Sequence, residues 1–597
     1  MGRAVLKQNL TTYASFTLPD VRFGFPGRRP DVDDPRPQCC AEPAASDGSY
    51  SPPPMGSYDD VYGDGTEFGT SRDVFPATIP GVVDRAVALY GSTEGVVDGD
   101  IRLTFAELAE QVDLVAQSFI AAGISAGDRV CVWAPNGLRW MLAALGAYRA
   151  GASLVPLNTR FKGPEAAYVL RTAGVRMLFA VTDFLDTNYP ALLSGDDAVE
   201  CIQSVVVISG DVSGANVSWD DFLAGGTSVP RAEVVARSAA VKPSDVSDIM
   251  FTSGTTGRPK GAMLSHGATV KAFNAWATVV GLRHGDRYLI VNPFFHAFGL
   301  KAGIVASLVK GATIVPQAFF DIPQLMRRVV DERISMLPGP PSIYQTILDH
   351  PLLETFDLSS LRLAVTGAAA VPVELIRRMR EDLTFETVVT GYGLTETTGI
   401  VTMCRHDDPV ETIAHTAGRA IPDVEVRLVD ALGNDVAVGE AGEIWVRGYN
   451  VMLGYFGDPS ATAETINADG WLATGDVAVQ DAQGNVRITD RKKDMFIMGG
   501  FNAYPAEIEN ALMSYPGVSQ VAVVGVPDRR MGEVAMAFIV AKPNASIIAD
   551  DLIAWCRANM ANYKVPRYVE LVDALPMNAS GKVLKFELRS RGAGLLN

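Results

Sequence analysis

Three features of the 597-residue chain predict an α/β protein, with a large N-terminal domain of layered α/β subdomains and a smaller C-terminal α+β domain. Short apolar runs of strand length alternate with stretches of helical spacing from about residue 75 onward, the pattern of parallel sheets covered by helices. Apolar residues make up 48% of the chain, enough to bury more than one core. A charged stretch at 489–494, Thr-Asp-Arg-Lys-Lys-Asp, then breaks the rhythm. The remaining segment has about 100 residues, a common domain size.

The first 72 residues are rich in Pro, Gly, Ser and Asp with weak apolar periodicity, so they are expected to be a disordered extension. Met55, close to where the regular pattern starts, offers an alternative start. Folded sequence is expected over 73–490 and 491–597. Residues 104–122 have helical spacing, with Thr104 and Glu107 as a capping box and Gly123 as the stop. A strand at 130–133, a helix at 138–150 and a strand at 153–156 come next, then strands at 205–208, 288–291, 313–315, 363–365, 388–389 and 443–446. In the last segment Pro505 suits the first turn of a helix to 513, with strands at 521–524 and 537–541 and a helix at 548–559.

The net charge of −17 and pI near 4.9 argue against a nucleic-acid partner, whose footprint is basic. They leave room for an anionic small ligand, which responds to local charge. The six cysteines, at 39, 40, 131, 201, 404 and 556, form neither a metal-spaced pair nor a disulfide framework, and read as ordinary thiols in a reducing compartment. No apolar run has the length of a membrane span, and no apolar stretch comes after Arg3 and Lys7, so a cytoplasmic protein is expected.

The string with most chemistry runs from Phe251 to Gly261: Phe-Thr-Ser-Gly-Thr-Thr-Gly-Arg-Pro-Lys-Gly. Gly254 and Gly257 let the backbone turn its N–H groups inward, Thr252, Ser253, Thr255 and Thr256 add hydroxyl donors, and Lys260 adds a positive charge. This is the composition of a polyphosphate cradle, though not of a Walker A loop, since Pro259 stands where that pattern needs its second glycine. Gly391-Tyr392-Gly393-Leu-Thr395-Glu396 offers a ring face for a base, a hydroxyl, and a hard oxygen for Mg²⁺; alone it also fits a capped strand-to-helix turn. Asp476 comes after a glycine and could accept from two ribose hydroxyls, with Arg491 fifteen positions on; alone, Thr-Gly-Asp is a good turn. Lys582 sits at the tip of a loop in Asn-Ala-Ser-Gly-Lys, a place usually held by a mobile surface lysine. His296 lies among phenylalanines in Asn292-Pro-Phe-Phe-His-Ala-Phe298-Gly299. A satisfied core histidine is the ordinary reading there, and pocket lining is the better functional one because nothing beside it in sequence activates it.

Taken together and in this order over 75–592, these strings resemble the adenylate-forming superfamily: acyl-CoA synthetases, peptide-synthetase adenylation domains and firefly luciferase. The resemblance implies an ATP-dependent ligase that makes acyl-AMP and then an acyl-CoA thioester, with ATP, Mg²⁺ and coenzyme A as cosubstrates and a carboxylic acid as partner. It implies an active site in the cleft between the large domain and a C-terminal lid. It assigns residues 252–260 to phosphate, with Thr256 among the catalytic groups, Tyr392 to adenine, and Thr395 with Glu396 to phosphate and Mg²⁺. Gly391 and Gly393 flank that turn. Asp476 and Arg491 hold the ribose. Gly367, Ala368 and Ala369 border the nucleotide and acyl group, beside a pocket of His296, Phe298 and Gly299. Lys493 is the hinge, Gly499 and Gly500 help form the pantetheine tunnel, and Lys582 is the adenylation lysine. Within the superfamily, residues 292–296, 337–341 and 499–505 are most similar to actinobacterial acyl-CoA synthetases, one of which activates an indanedione propanoate from steroid rings. Transfer to a carrier protein, and a non-catalytic nucleotide-binding homologue, are the alternatives. The sequence leaves the oligomeric state, a homodimer included, open.

Overall fold

A computed structural model describes residues 75–596, apart from 253–258, 368–370, 492–493, 499–500, 504, 529–530, 561 and 578–582. The expected N-terminal extension lies outside the described residues. The described residues form two hydrophobic cores. One collects side chains from Ile79 to Val486, with Ile488 packed on it. The other runs from Phe496 to Leu588.

The larger core rests on two sheets, one predominantly parallel and one mixed. In one, the order is Gly454–Tyr455, Lys260–Ser265, Val246–Thr252, Ser153–Pro156, Arg129–Trp133, Met177–Val181, Ser204–Ser209 and Val217–Ser218. Its first three strands pair antiparallel and the rest parallel. The second consists of two four-stranded parts, Arg287–Ile290 to Ile101–Thr104 and Leu363–Gly367 to Arg419–Ala420. Met336 bridges them, pairing in parallel with Tyr288 and with Leu363. Thr252, Gly367 and Tyr392 all stand at the carboxyl ends of their strands, and residues 292–299 come directly after the strand that ends at Ile290. That edge is where open α/β sheets bind ligands.

The parallel reading does not extend to the whole domain. Val424–Val429, Ala441–Gly448, Leu472–Gln480 and Val486–Arg491 form a wholly antiparallel sheet. The sequence marks only residues 443–446 of it as a strand, because Ala441–Gly448 alternates buried and open positions as a strand with one wet face does. In the smaller unit, Val518–Asp528 pairs antiparallel with Gly532–Ala541, and Tyr568–Leu571 joins the latter in parallel.

The helix Phe105–Ala121 begins at the expected capping box: the Thr104 hydroxyl accepts from the Glu107 N–H at 3.2 Å, and the Glu107 carboxylate accepts from the Thr104 N–H at 2.8 Å. Among the described cysteines, Cys131, Cys404 and Cys556 are buried free thiols and Cys201 is a half-buried one. Among the described residues no helix is long and apolar enough to cross a membrane.

One buried histidine ties stability to pH. His266 accepts at Nδ1 from the Ile79 N–H at 3.4 Å. Burial lowers its pKa from 6.5 to about 4, against the opposing pull of Asp248 and Asp245. The unfolded chain therefore takes up this proton first. The stability tied to neutral His266 is complete above pH 6.5 and is lost as the pH falls through about 4. The loss amounts to roughly 3 kcal/mol at most. Urea melts of His266→Gln should show a flatter acid limb than the parent; an equally steep one would exclude this source.

Candidate active site

The phosphate-loop string is the connection of a β-hairpin. Val246–Thr252 and Lys260–Ser265 pair antiparallel with Thr252 opposite Lys260, so these two residues are the stems from which the loop springs. Ser253, Gly254, Thr255, Thr256 and Gly257 lie outside the described residues. Gly454–Tyr455 extends the hairpin, with Tyr455 opposite Ala262. This places the Lys260 ammonium 5.2 Å from the centre of the Tyr455 ring, within cation–π range.

Glu396 meets the hairpin at the same place. Its Oε1 accepts from the Thr252 hydroxyl at 3.1 Å and from the Tyr455 hydroxyl at 3.0 Å. Burial, and after it the charge of Glu396, raises the Tyr455 pKa, so the phenol stays protonated and donates. Both hydroxyls converge on Oε1, so Oε2 is the oxygen through which this carboxylate would take a cation. Among the described residues no cluster of three or more His, Cys, Asp or Glu could hold a metal. A single carboxylate suits Mg²⁺, which completes its shell with phosphate and water. Tyr455 escaped sequence reasoning: it is 59 positions from Glu396, and only strand pairing brings the two together.

Thr395 and Glu396 sit in the single turn Thr395–Thr397, after the strand Thr387–Tyr392. Thr398 closes that turn with φ of 59°, an unusual conformation for a β-branched residue. Its hydroxyl donates to the Asn450 carbonyl at 2.7 Å, and the Asn450 amide donates to the Ile400 carbonyl at 2.8 Å. Asn450, fully buried, is a second residue the sequence did not reveal. Gly393 is there for space, since a Cβ would lie 2.4 Å from the Gly399 carbonyl oxygen.

Leu363–Gly367 runs parallel to Thr387–Tyr392 with Gly367 opposite Gly391. The adjoining Ala368 and Ala369 lie outside the described residues. Asp476 is opposite Arg491 in the antiparallel pair of Leu472–Gln480 with Val486–Arg491. The fifteen-residue spacing is thus that of a hairpin which returns the chain to the same place. Asp476, only 3% exposed, accepts at 2.6 Å from the Tyr392 hydroxyl. The residues picked for base and sugar are therefore joined across two sheets.

The 292–299 segment is anchored from below by Asn136, which sequence reasoning also missed. Its amide donates to the Ile290 and Asn292 carbonyls at 3.2 and 2.9 Å, and its oxygen accepts from the Phe294 N–H at 2.7 Å. His296 is not the enclosed core residue that its phenylalanine neighbours suggest, because its side chain is exposed. Protein nevertheless surrounds it enough for desolvation to lower its pKa. Its Nδ1 accepts from the Phe298 N–H at 3.2 Å. Phe298 packs edge-on against Trp276 at 6.4 Å. Gly299 permits the close approach of the chain to itself: a Cβ would lie 2.1 Å from the Pro293 carbonyl oxygen.

The structure thus brings together Thr252, Lys260 and Glu396 in one cluster, and Tyr392 and Asp476 in another. Lys493, Gly499, Gly500 and Lys582 lie outside the described residues, as does the side chain of Arg491.

Residues 83–456 match the family model of the AMP-binding enzyme, and residues 507–582 that of the AMP-binding enzyme C-terminal domain. The chain is 50% identical over 518 residues to the 3-[(3aS,4S,7aS)-7a-methyl-1,5-dioxo-octahydro-1H-inden-4-yl]propanoyl:CoA ligase of Rhodococcus jostii (strain RHA1), spanning 86% of this chain and 98% of that protein. It is 47% identical over 515 residues to the ligase of the same name from Mycobacterium tuberculosis (strain ATCC 25618 / H37Rv), spanning 86% and 99%. Among solved structures it is similar to the anthranilate CoA ligase AuaEII in complex with anthranoyl-AMP, with a TM-score of 0.77 at 27% identity over 88% of this chain and 100% of that one. The chain belongs to the AMP-binding enzyme family, the adenylate-forming ligases, and is an ATP- and Mg²⁺-dependent acid–coenzyme A ligase with a large N-terminal and a small C-terminal domain.

Proposed function

We propose that the acid is a fused-ring propanoate of the indanedione type left by steroid-ring breakdown. The observation that carries this reading is near-half identity, over almost their full length, to two ligases named for that acid. The aromatic stretch around His296 and Phe298, with Phe298 edge-on to Trp276, supports the reading, since a flat, largely apolar wall would suit a rigid bicycle better than a small polar acid. ATP- and coenzyme-A-dependent AMP release across fatty, aromatic and steroid-derived acids tests it. The bicyclic propanoate should have the highest kcat/KM, and a linear fatty acid outperforming it would reject the assignment. These cosubstrates belong to the cytoplasm, and we place the enzyme there.

In the first step of the reaction a carboxylate oxygen of the acid bonds to the α-phosphorus of ATP and pyrophosphate leaves. Both partners are anionic, so charge repulsion is the obstacle. Lys260, the amides and hydroxyls of 253–257, and Lys582 from the lid offset the charge that develops. Preorganised donors of this kind are worth about 3–4 kcal/mol each in the transition state. Mg²⁺ on Glu396 neutralises phosphate charge when bound. Tyr392 stacks on the adenine, while Asp476 and Arg491 hold the ribose. In the second step the coenzyme A sulfur bonds to the acyl carbon and AMP leaves. A lid carrying both the Lys582 loop and the thiol channel of Gly499 and Gly500 cannot present them together. We place its hinge at Lys493, in the interval between the two cores, and assign it a gating role.

Glu396→Ala should raise the Mg²⁺ concentration needed for half-maximal adenylation by about tenfold or more, the loss of one charged ligand contact. An unchanged Mg²⁺ titration would remove Glu396 from the metal site.

A further inference from the structure

Neither adenylation nor thioester formation makes use of the most deeply buried charges in the large domain. Lys301 and Asp248 are both 0% exposed and pair at 2.8 Å. The Lys301 ammonium also donates to the Thr269 hydroxyl at 2.8 Å. Asp248 accepts from the Ser247 hydroxyl at 2.7 Å and from the Tyr148 hydroxyl. The ammonium and both carboxylate oxygens are thus engaged. A buried pair is a poor way to gain stability, since desolvation of both ions offsets their attraction and apolar side chains of the same volume would do as well. Its best-attested use is to fix one arrangement among several.

Its location shows which arrangement is at stake. Lys301 belongs to the π-helix Phe298–Val305, which continues directly from the pocket segment 292–299. Helical turns of this wide type are rare and are frequently found at functional sites. Asp248 lies on Val246–Thr252, on the same face as Thr252 by the two-residue period of a strand. Thr252 in turn holds Glu396. One ion pair therefore connects the acid-pocket helix to the strand that carries the phosphate loop. On its other side the π-helix rests on small residues: a Cβ at Gly303 would come 2.9 Å from the Ile290 side chain, and one at Gly299 would strike the Pro293 carbonyl. Glycine faces allow close approach but give no side-chain knob to set a register. The ion pair supplies a directional one.

We propose that Lys301 and Asp248 are positioning residues for acid selection. They hold the π-helix in one register against the phosphate-loop strand, and so set the depth at which an acid's carboxylate meets the α-phosphate. The proposal rests on reading residues 296–299 as the wall of the acid pocket. With the pin removed the wall slides relative to the nucleotide, discrimination between acids of different bulk falls, and recognition of ATP does not change.

The test compares kcat/KM for a bicyclic and a monocyclic propanoate, KM for ATP, and thermal midpoint. In the full-length double variant Lys301→Met/Asp248→Asn the midpoint should recover most of what either single variant loses. The ratio of the two acids' kcat/KM should still fall by about tenfold, the scale on which a pocket distinguishes small apolar differences. KM for ATP should stay within about twofold of the parent, since uniform nucleotide binding is untouched. A double variant that restores both the midpoint and the ratio would overturn the proposal. Thr269→Val removes only the hydroxyl partner of Lys301 and provides a second reading should the double variant not fold: a lowered ratio supports the pin, and an unchanged one overturns it. Phe298→Ala separates the two premises. If it leaves acid kinetics unaltered, the pocket reading fails. If it alters them while the double variant does not, the pin alone fails.

Discussion

Lys582→Ala should lower acyl-adenylate formation by about a hundred- to a thousandfold, the effect of removing one preorganised charge donor from a transition state. Thioester formation from supplied acyl-AMP stays within about threefold of the parent, because an interaction made in one step alone is lost from that step alone. The asymmetry comes from charge. Adenylation forces a carboxylate against a polyphosphate, and the proposed role of Lys582 is to offset that repulsion. Thioesterification brings a thiol to an acyl carbon whose leaving group is already activated, and on the proposed hinge the lid would have turned about Lys493 by then. Pyrophosphate exchange measures the first half-reaction and acyl-CoA release from acyl-AMP the second. Equal loss in both would contradict the role. Lys585→Ala is the control, because Lys585 is occupied with Glu509 at 2.7 Å, at the start of the helix Lys585–Leu596. Its loss should be felt in stability and leave the ratio of the half-reactions unchanged.

The second large effect is on folding. Lys301→Met leaves the Asp248 carboxylate buried without its cation, and Asp248→Asn leaves the Lys301 ammonium without its anion. Each should destabilise the large domain by about 3–5 kcal/mol, the usual consequence of orphaning one member of a buried pair. The double variant should lose far less than the two singles combined, because replacing both charges removes the uncompensated one. Urea midpoints of the four proteins read this directly. Additive losses would mean that the two residues do not act as a pair.

Local signals carried the sequence reading a long way. The Thr104–Glu107 box sets its helix start because both partners lie within one turn. The phosphate-loop string declares itself because one short segment holds all of its donors. Asp476 and Arg491 could be paired because a hairpin keeps them close in sequence as well as in space. What stayed hidden is what distant segments build. Tyr455 reaches Glu396 only after Gly454–Tyr455 has paired with Lys260–Ser265. Asn136 holds the pocket segment from a loop in another sheet. The π-helix has no periodicity of its own to read: apolar residues surround its whole circumference, so no face is marked. Lys301 in that run looks like a surface residue interrupting a hydrophobic stretch, and only its partner on another element shows why it is tolerated.

The bond between the Tyr392 phenol and Asp476 has a consequence for turnover. A carboxylate this enclosed would be costly to leave bare whenever the site is vacant. If Asp476 holds the ribose as proposed, the arriving sugar would exchange one hydroxyl donor for another at this carboxylate. Part of the grip on the nucleotide would then be cancelled by the contact surrendered, and the same contact would reform as AMP departs. On that reading the tyrosine would work as a stand-in guest, tempering affinity at entry and easing exit at the end of each cycle.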